Sequence, residues 1–93
     1  MAGEDSKNEL MLRWQRGDRF YIAHLHRDLL GDWCLVRTWG VTGSSKGQRM
    51  SRRVFDSYAD AFAALEKTDR RRMADGYELA SAVKPEPAQE PLL

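Results

Sequence analysis

The sequence predicts an α+β domain, an antiparallel β-sheet with one α-helix packed on one face. Three observations lead there. Aromatic and β-branched runs broken by glycine turns fill the chain up to residue 55. At Ser57 the apolar spacing changes from alternation to the period of a helix. Only one segment of helical length follows. Ninety-three residues supply one small domain with one modest core.

The elements follow in order. "LMLRWQ", residues 10–15, adds a short first strand. "RFYIAHLHRDLL", 19–30, is rich in strand-forming types and reads as the next. "GD" at 31–32 is a turn signal, and "WCLVRTWGV", 33–41, is the partner strand of a hairpin. "TGSSKG", 42–47, is a glycine-bounded loop. "QRMSRRVF", 48–55, is a more polar strand. Ser57 with Asp60 three residues on has the form of a capping box. Tyr58, Ala61, Phe62, Leu65, Thr68 and Met73 then recur at roughly helical spacing, which predicts a helix near 58–74 with Phe62 and Leu65 buried. Lys67 and Arg70 to Arg72 fall in its last turns, where cations suit the helix dipole, and Gly76 is the stop. Tyr77 and "ELA" lead into a last short strand. Residues 1–10 and the proline-rich 81–93 read as disordered ends, so the domain is expected to span 11–80.

One helix covers one sheet face and leaves the other open. Alternation puts Trp33, Leu35, Arg37 and Trp39 on one side of their strand and Cys34, Val36, Thr38 and Gly40 on the other. The small second set suits close helix packing. The first set, large aromatics with an arginine, suits an exposed platform.

No apolar run approaches the roughly 20 residues of a membrane helix. The polar, acidic start lacks the features of a signal peptide. Cys34 is the one cysteine, so no internal disulfide and no cysteine metal cage can form. A cytoplasmic monomer is expected. Charge is unevenly spread: residues 1–9 sum to −2, 10–80 to +4 and 81–93 to −1. Residues 33–55 hold five cations, Arg37, Lys46, Arg49, Arg52 and Arg53, and no acid. Such a one-signed stretch is an electrostatic footprint for a polyanion, or a strand edge protected by charge.

"RTWGVTGSSKGQR" at 37–49, with "VFDSYADAFAALEKTDRRRMADGYE" after it, resembles the WGR domain family, named for a Trp-Gly-Arg motif. The resemblance spans about residues 19–79. It rests on Trp39 and Gly40, Gly43, Gly47 and Gln48, Phe55, the alanine-rich helix, and Gly76 with Tyr77. It implies a curved antiparallel sheet carrying one helix. In DNA-damage-dependent poly(ADP-ribose) polymerases such a domain binds DNA near a strand break, and the motif tryptophan packs against the nucleotide at the end. By resemblance this chain is a stand-alone domain of the bacterial type, too short to hold a polymerase catalytic domain. It departs at the third motif position, where Val41 replaces arginine. Lys46, Arg49, Arg52 and Arg53 can replace the lost charge.

The expected function is binding, not catalysis: nucleic acid, DNA ends or nicks, held by Arg37, Trp39, Gly40, Lys46, Arg49, Arg52 and Arg53. Trp39 would stack on a base or sugar, with Gly40 letting the partner approach the backbone. The cations would hold phosphates without reading sequence. The alternative is an adaptor that docks a protein on the open sheet face. Other constellations are bland. His24 and His26 lie side by side but lack a specified third metal ligand. Cys34 sits mid-strand, as a small buried hydrophobe does. "GSSKG" joins two strands and lacks the strand-to-helix setting of a phosphate loop. "KTDRRR" is a solvated helix end or an extension of the basic surface. No cofactor, metal or membrane partner is expected.

Overall fold

A computed structural model of the chain describes residues 9–44 and 46–83. The elements are β1 (Leu10–Arg16), β2 (Arg19–Arg27), β3 (Trp33–Val41), β4 (Arg49–Phe55), α1 (Tyr58–Ala74) and β5 (Glu78–Val83). They form one five-stranded antiparallel sheet in the order β4-β3-β2-β1-β5, with α1 against it. The α+β prediction matches. The chain makes three consecutive hairpin pairings, crosses the sheet through α1, and returns as β5 at the far edge beside β1.

The helix ends are set by local chemistry. The Asp60 N–H donates to Ser57 Oγ at 3.1 Å, satisfying one of the donors a helix start leaves free. At the other end Gly76 N–H donates to the Met73 carbonyl and Tyr77 N–H to the Arg72 carbonyl, a Schellman closure. It needs φ of +89° at Gly76, which a glycine adopts without strain. Arg16 adds a 2.6 Å bond to the Asp75 carbonyl from β1.

Two boundaries move. β2 stops at Arg27, not residue 30, because Asp28 Oδ1 accepts from the N–H groups of Leu30 and Asp32 and folds the chain into a loop. The ordered domain takes in Leu10 at one end and 81–83 at the other, since those residues pair in β1 and β5. Residues 1–8 and 84–93, the rest of the expected disordered ends, lie outside the described residues.

The face assignment reverses. The core joins Trp14 from β1, Tyr21, Ala23 and Leu25 from β2, Trp33 and Leu35 from β3, Phe55 from β4, and Ala61 and Leu65 from α1. The helix therefore covers the face of Trp33, Leu35, Arg37 and Trp39. The face of Val36, Thr38 and Gly40 is the open one. The reason is area. Burying a large side chain contributes about 1.5–3 kcal/mol, so the wide aromatics go under the helix. The small residues that let the two layers approach are on the helix instead, at Ala61 and Ala64. Leu65 is 3% exposed, as expected, whereas Phe62 is only half-buried and stacks with Tyr58 at the rim. Among the described residues no helix is long and apolar enough to cross a membrane.

Candidate nucleic-acid interface

The cross-strand register places each candidate. Tyr21 on β2 faces Trp39 on β3, and Trp39 faces Arg49 on β4. Arg37 faces Ser51, and Leu35 faces Arg53. Arg37, Trp39, Arg49 and Arg53 thus share the helix side of the sheet.

Trp39 is neither a core residue nor a free platform. Its ring stacks on Tyr21, with centroids 5.5 Å apart and planes 12° from parallel, and it stays half-exposed. Tyr21 anchors the cluster: Trp14 and Tyr77 meet it edge-on at 5.8 and 6.4 Å, and the Arg72 guanidinium lies 4.4 Å from its centroid. Trp14 is itself fixed by a 2.9 Å bond from Nε1 to Asp69 on α1. The Trp39 ring is therefore held in one orientation, and little conformational freedom remains to be lost on contact with a partner.

Two expected members do not belong to this arrangement. Arg52 points to the open face, where it pairs with Asp28 Oδ2 at 2.9 Å and lies 3.1 Å from Cys34 Sγ. Alternation separates it from its neighbour Arg53. Gly40 does not open the backbone to a partner. A Cβ there would sit 3.3 Å from Gln48 Cα and 3.4 Å from the Phe20 ring, so the chain itself fills that space. Lys46 is exposed in the β3–β4 turn.

The helix brings cations that the strand reading left out. Lys67, Arg71 and Arg72 face Arg37 and Arg53 across a cleft of about 360 Å³, floored by Tyr21, Ala64 and Thr68. The signal was present in "KTDRRR": Lys67 and Arg71 are four apart, as are Thr68 and Arg72, so each pair shares a helix face. Thr68 is buried, its hydroxyl bonded to the Ala64 carbonyl at 2.9 Å, which points that face at the sheet. No acid lines the cleft. Asp75 sits at its end and pairs with Arg72 at 3.2 Å and Arg71 at 3.4 Å.

The open face offers different chemistry. His24 and His26 lie with ring centroids 4.7 Å apart. Burial, and then the His26 charge, hold His24 below its ordinary value. Among the described residues no group of three His, Cys, Asp or Glu side chains could hold a metal ion. Burial pushes the Cys34 thiol up, which disfavours the thiolate and with it nucleophilic chemistry. Asp28 is held below the usual carboxylate range, first by the backbone bond from Asp32.

A family model described as WGR domain matches residues 8–84, nearly the whole chain. Comparison with curated proteins and with solved structures gives no significant match.

Proposed function

The chain belongs to the WGR domain family, a type of nucleic-acid-binding module, and from that premise we propose that it is a non-catalytic binder of DNA ends or nicks. The observation that carries this reading is the position of Trp39. The ring is half-exposed, stacked on Tyr21, and shares its side of the sheet with Arg37, Arg49 and Arg53. An aromatic face held rigid between cations is the arrangement that single-stranded or broken nucleic acid needs. A base or sugar stacks on the ring for about 1–3 kcal/mol, and the cations neutralise the flanking phosphates.

Val41, at the motif position where the family has arginine, has the same parity on β3 as Trp39. The cation beside the tryptophan on that face is instead Arg37, two residues before it, with Arg49 directly across on β4. Charge is thus kept next to the ring although the motif residue is lost.

Gel mobility shift tests the proposal on three duplexes of one sequence: nicked, blunt-ended linear, and covalently closed circular. Binding to nicked and ended DNA should exceed binding to the closed circle and should collapse with salt. Equal affinity for all three would remove end recognition. No shift at low salt would remove the nucleic-acid reading.

A further inference from the structure

We infer that the cleft between α1 and the β3–β4 half of the sheet is a site for an oligophosphate chain, free or attached to a nucleoside, which adjoins the Trp39 shelf and shares Arg37 and Arg53 with it. Charge, size and unmet bonding in the cleft converge on this ligand.

Charge comes first. Arg37, Arg53, Lys67, Arg71 and Arg72 line the cleft with no acid among the lining residues. Asp75 offsets only the last two, from the cleft's end. Arg37, Arg53 and Lys67 have no acidic partner among the described residues. Arg37 is the telling one. It is half-buried on the sheet floor, and its Nε is closed off from solvent with no acceptor. An N–H closed off from water without an acceptor is unfavourable, and no protein group supplies one here. Arg72 Nε and Ser51 Oγ are orphaned in the same way; Ser51 faces Arg37 across the β3–β4 pairing, and Arg72 lines the opposite wall. Among the described residues three of the four such atoms gather in this region.

Size narrows the class. About 360 Å³ lies in the range of small-ligand pockets, roughly 300–1,000 Å³. That volume far exceeds what one orthophosphate fills. Cations on two facing walls suit a chain of linked phosphoryl groups that both walls grip at once. Three uncompensated cations match three such groups. The neighbouring hollow beyond Arg53 and Lys67 does not share this character, because Asp56 and Asp60 line it.

The floor excludes a base-reading site. Tyr21 is the one aromatic lining the cleft; it is 8% exposed, with Trp39 stacked on it and Arg72 over its ring. No ring face is left for a base. Recognition is of the phosphate chain, so inorganic triphosphate and a nucleoside triphosphate bind alike.

Isothermal titration calorimetry on the full chain, without nucleic acid, tests this with inorganic triphosphate, ATP, orthophosphate and adenosine. Triphosphate and ATP are expected within about threefold of each other, orthophosphate at least about 10-fold weaker, and adenosine silent. Arg37→Gln should weaken triphosphate about 10- to 100-fold, the scale of a lost charged hydrogen bond. The double variant Arg53→Ala, Lys67→Ala alters only exposed side chains and should do the same if Arg37→Gln does not fold. Arg52→Ala on the far face and Trp39→Phe should leave triphosphate binding unchanged. The inference is overturned if triphosphate does not bind, if Arg52→Ala costs as much as the double variant, or if adenosine binds as ATP does. It stands or falls apart from the DNA reading: triphosphate binding with no DNA shift sinks only the latter, and a DNA shift with no triphosphate binding sinks only the former.

Discussion

Arg52 and Arg53 are adjacent in sequence and lie on opposite faces of β4, so replacing each in turn tests which side of the sheet meets DNA under the proposed function. Of the five cations in 33–55, four remain when Arg52 is set aside: Arg37, Lys46, Arg49 and Arg53. If each meets one phosphate, the log–log salt slope on duplex DNA is about −3.6, at roughly −0.9 per contact. Raising salt from 50 to 200 mM then weakens wild-type binding about 150-fold. Arg53→Ala removes one contact, so the slope becomes about −2.7 and the same salt step costs only about 40-fold. Arg52→Ala leaves the slope at the wild-type value. Its effect is on the fold, since Asp28 loses a partner and the β2–β3 loop loosens. The assay is fluorescence anisotropy with a nicked duplex at five salt concentrations, alongside a thermal melt. A shallower slope for Arg52→Ala than for Arg53→Ala would refute the face assignment. Equal slopes for both variants and the wild type would refute direct phosphate contact by this strand.

Trp39→Ala should cost about 1–3 kcal/mol of stability, below the 3–5 of a fully buried aromatic, because the ring is only half-buried on Tyr21. It should also cost nicked-DNA affinity by about 5- to 150-fold with the salt slope unchanged, while Trp39→Phe restores most of both; urea titration and anisotropy read the two effects. Stability should fall with acid as His24 is forced to charge. Its folded value lies below 6.5, so the unfolded chain takes up the proton first, and stability drops as pH falls through about 6.5 and levels off below the folded value. Melts between pH 7.5 and 5 should show this limb in the wild type and a flatter one in His24→Gln. Trp14→Phe should lower the urea midpoint by the equivalent of about 1–3 kcal/mol, because it strips the Asp69 carboxylate of its indole donor.

Much of the fold was legible in the sequence because its elements carry local signals. Ser57, Gly76 and the change of period mark α1 almost to the residue. The β3 boundaries follow from the turn residues on either side. The choice of face was not legible, because β2 is apolar on both sides. Phe20 and Ile22 on one face alternate with Tyr21, Ala23 and Leu25 on the other. Alternation then identifies two faces without ranking them, and the ranking came from Trp14 and Phe55, which join the core through strand pairing. The same gap explains the site. Arg52 and Arg53 look equivalent in a basic run until parity is tied to the helix. Lys67 belongs with Arg37 only once α1 is laid over β3. The fit of Gly40 under Phe20 depends on a cross-strand register that no local motif encodes.

The cations on the helix side divide by what already holds them. Arg72 is committed to the fold: it pairs with Asp75 and lies over Tyr21 and Tyr77. Arg71 shares Asp75, and both offset the partial negative charge at the end of α1. That end would otherwise repel a phosphate, so part of the charge on these two residues is already offset within the fold. The uncompensated charge is that of Arg37 and Arg53 on the sheet and of Lys67, which lies about two turns before the helix end, where the dipole has faded. The Arg53 guanidinium lies over Phe55, 4.8 Å from its centroid, on an otherwise exposed side chain. Ligand charge should therefore settle on the β3–β4 wall and the middle of α1, with Trp39 beside it on the same sheet face. A nucleic-acid strand tracking from the tryptophan toward the cleft meets an aromatic surface first and unpaired charge next. Under the proposed function, phosphates are expected where the fold has left charge uncompensated.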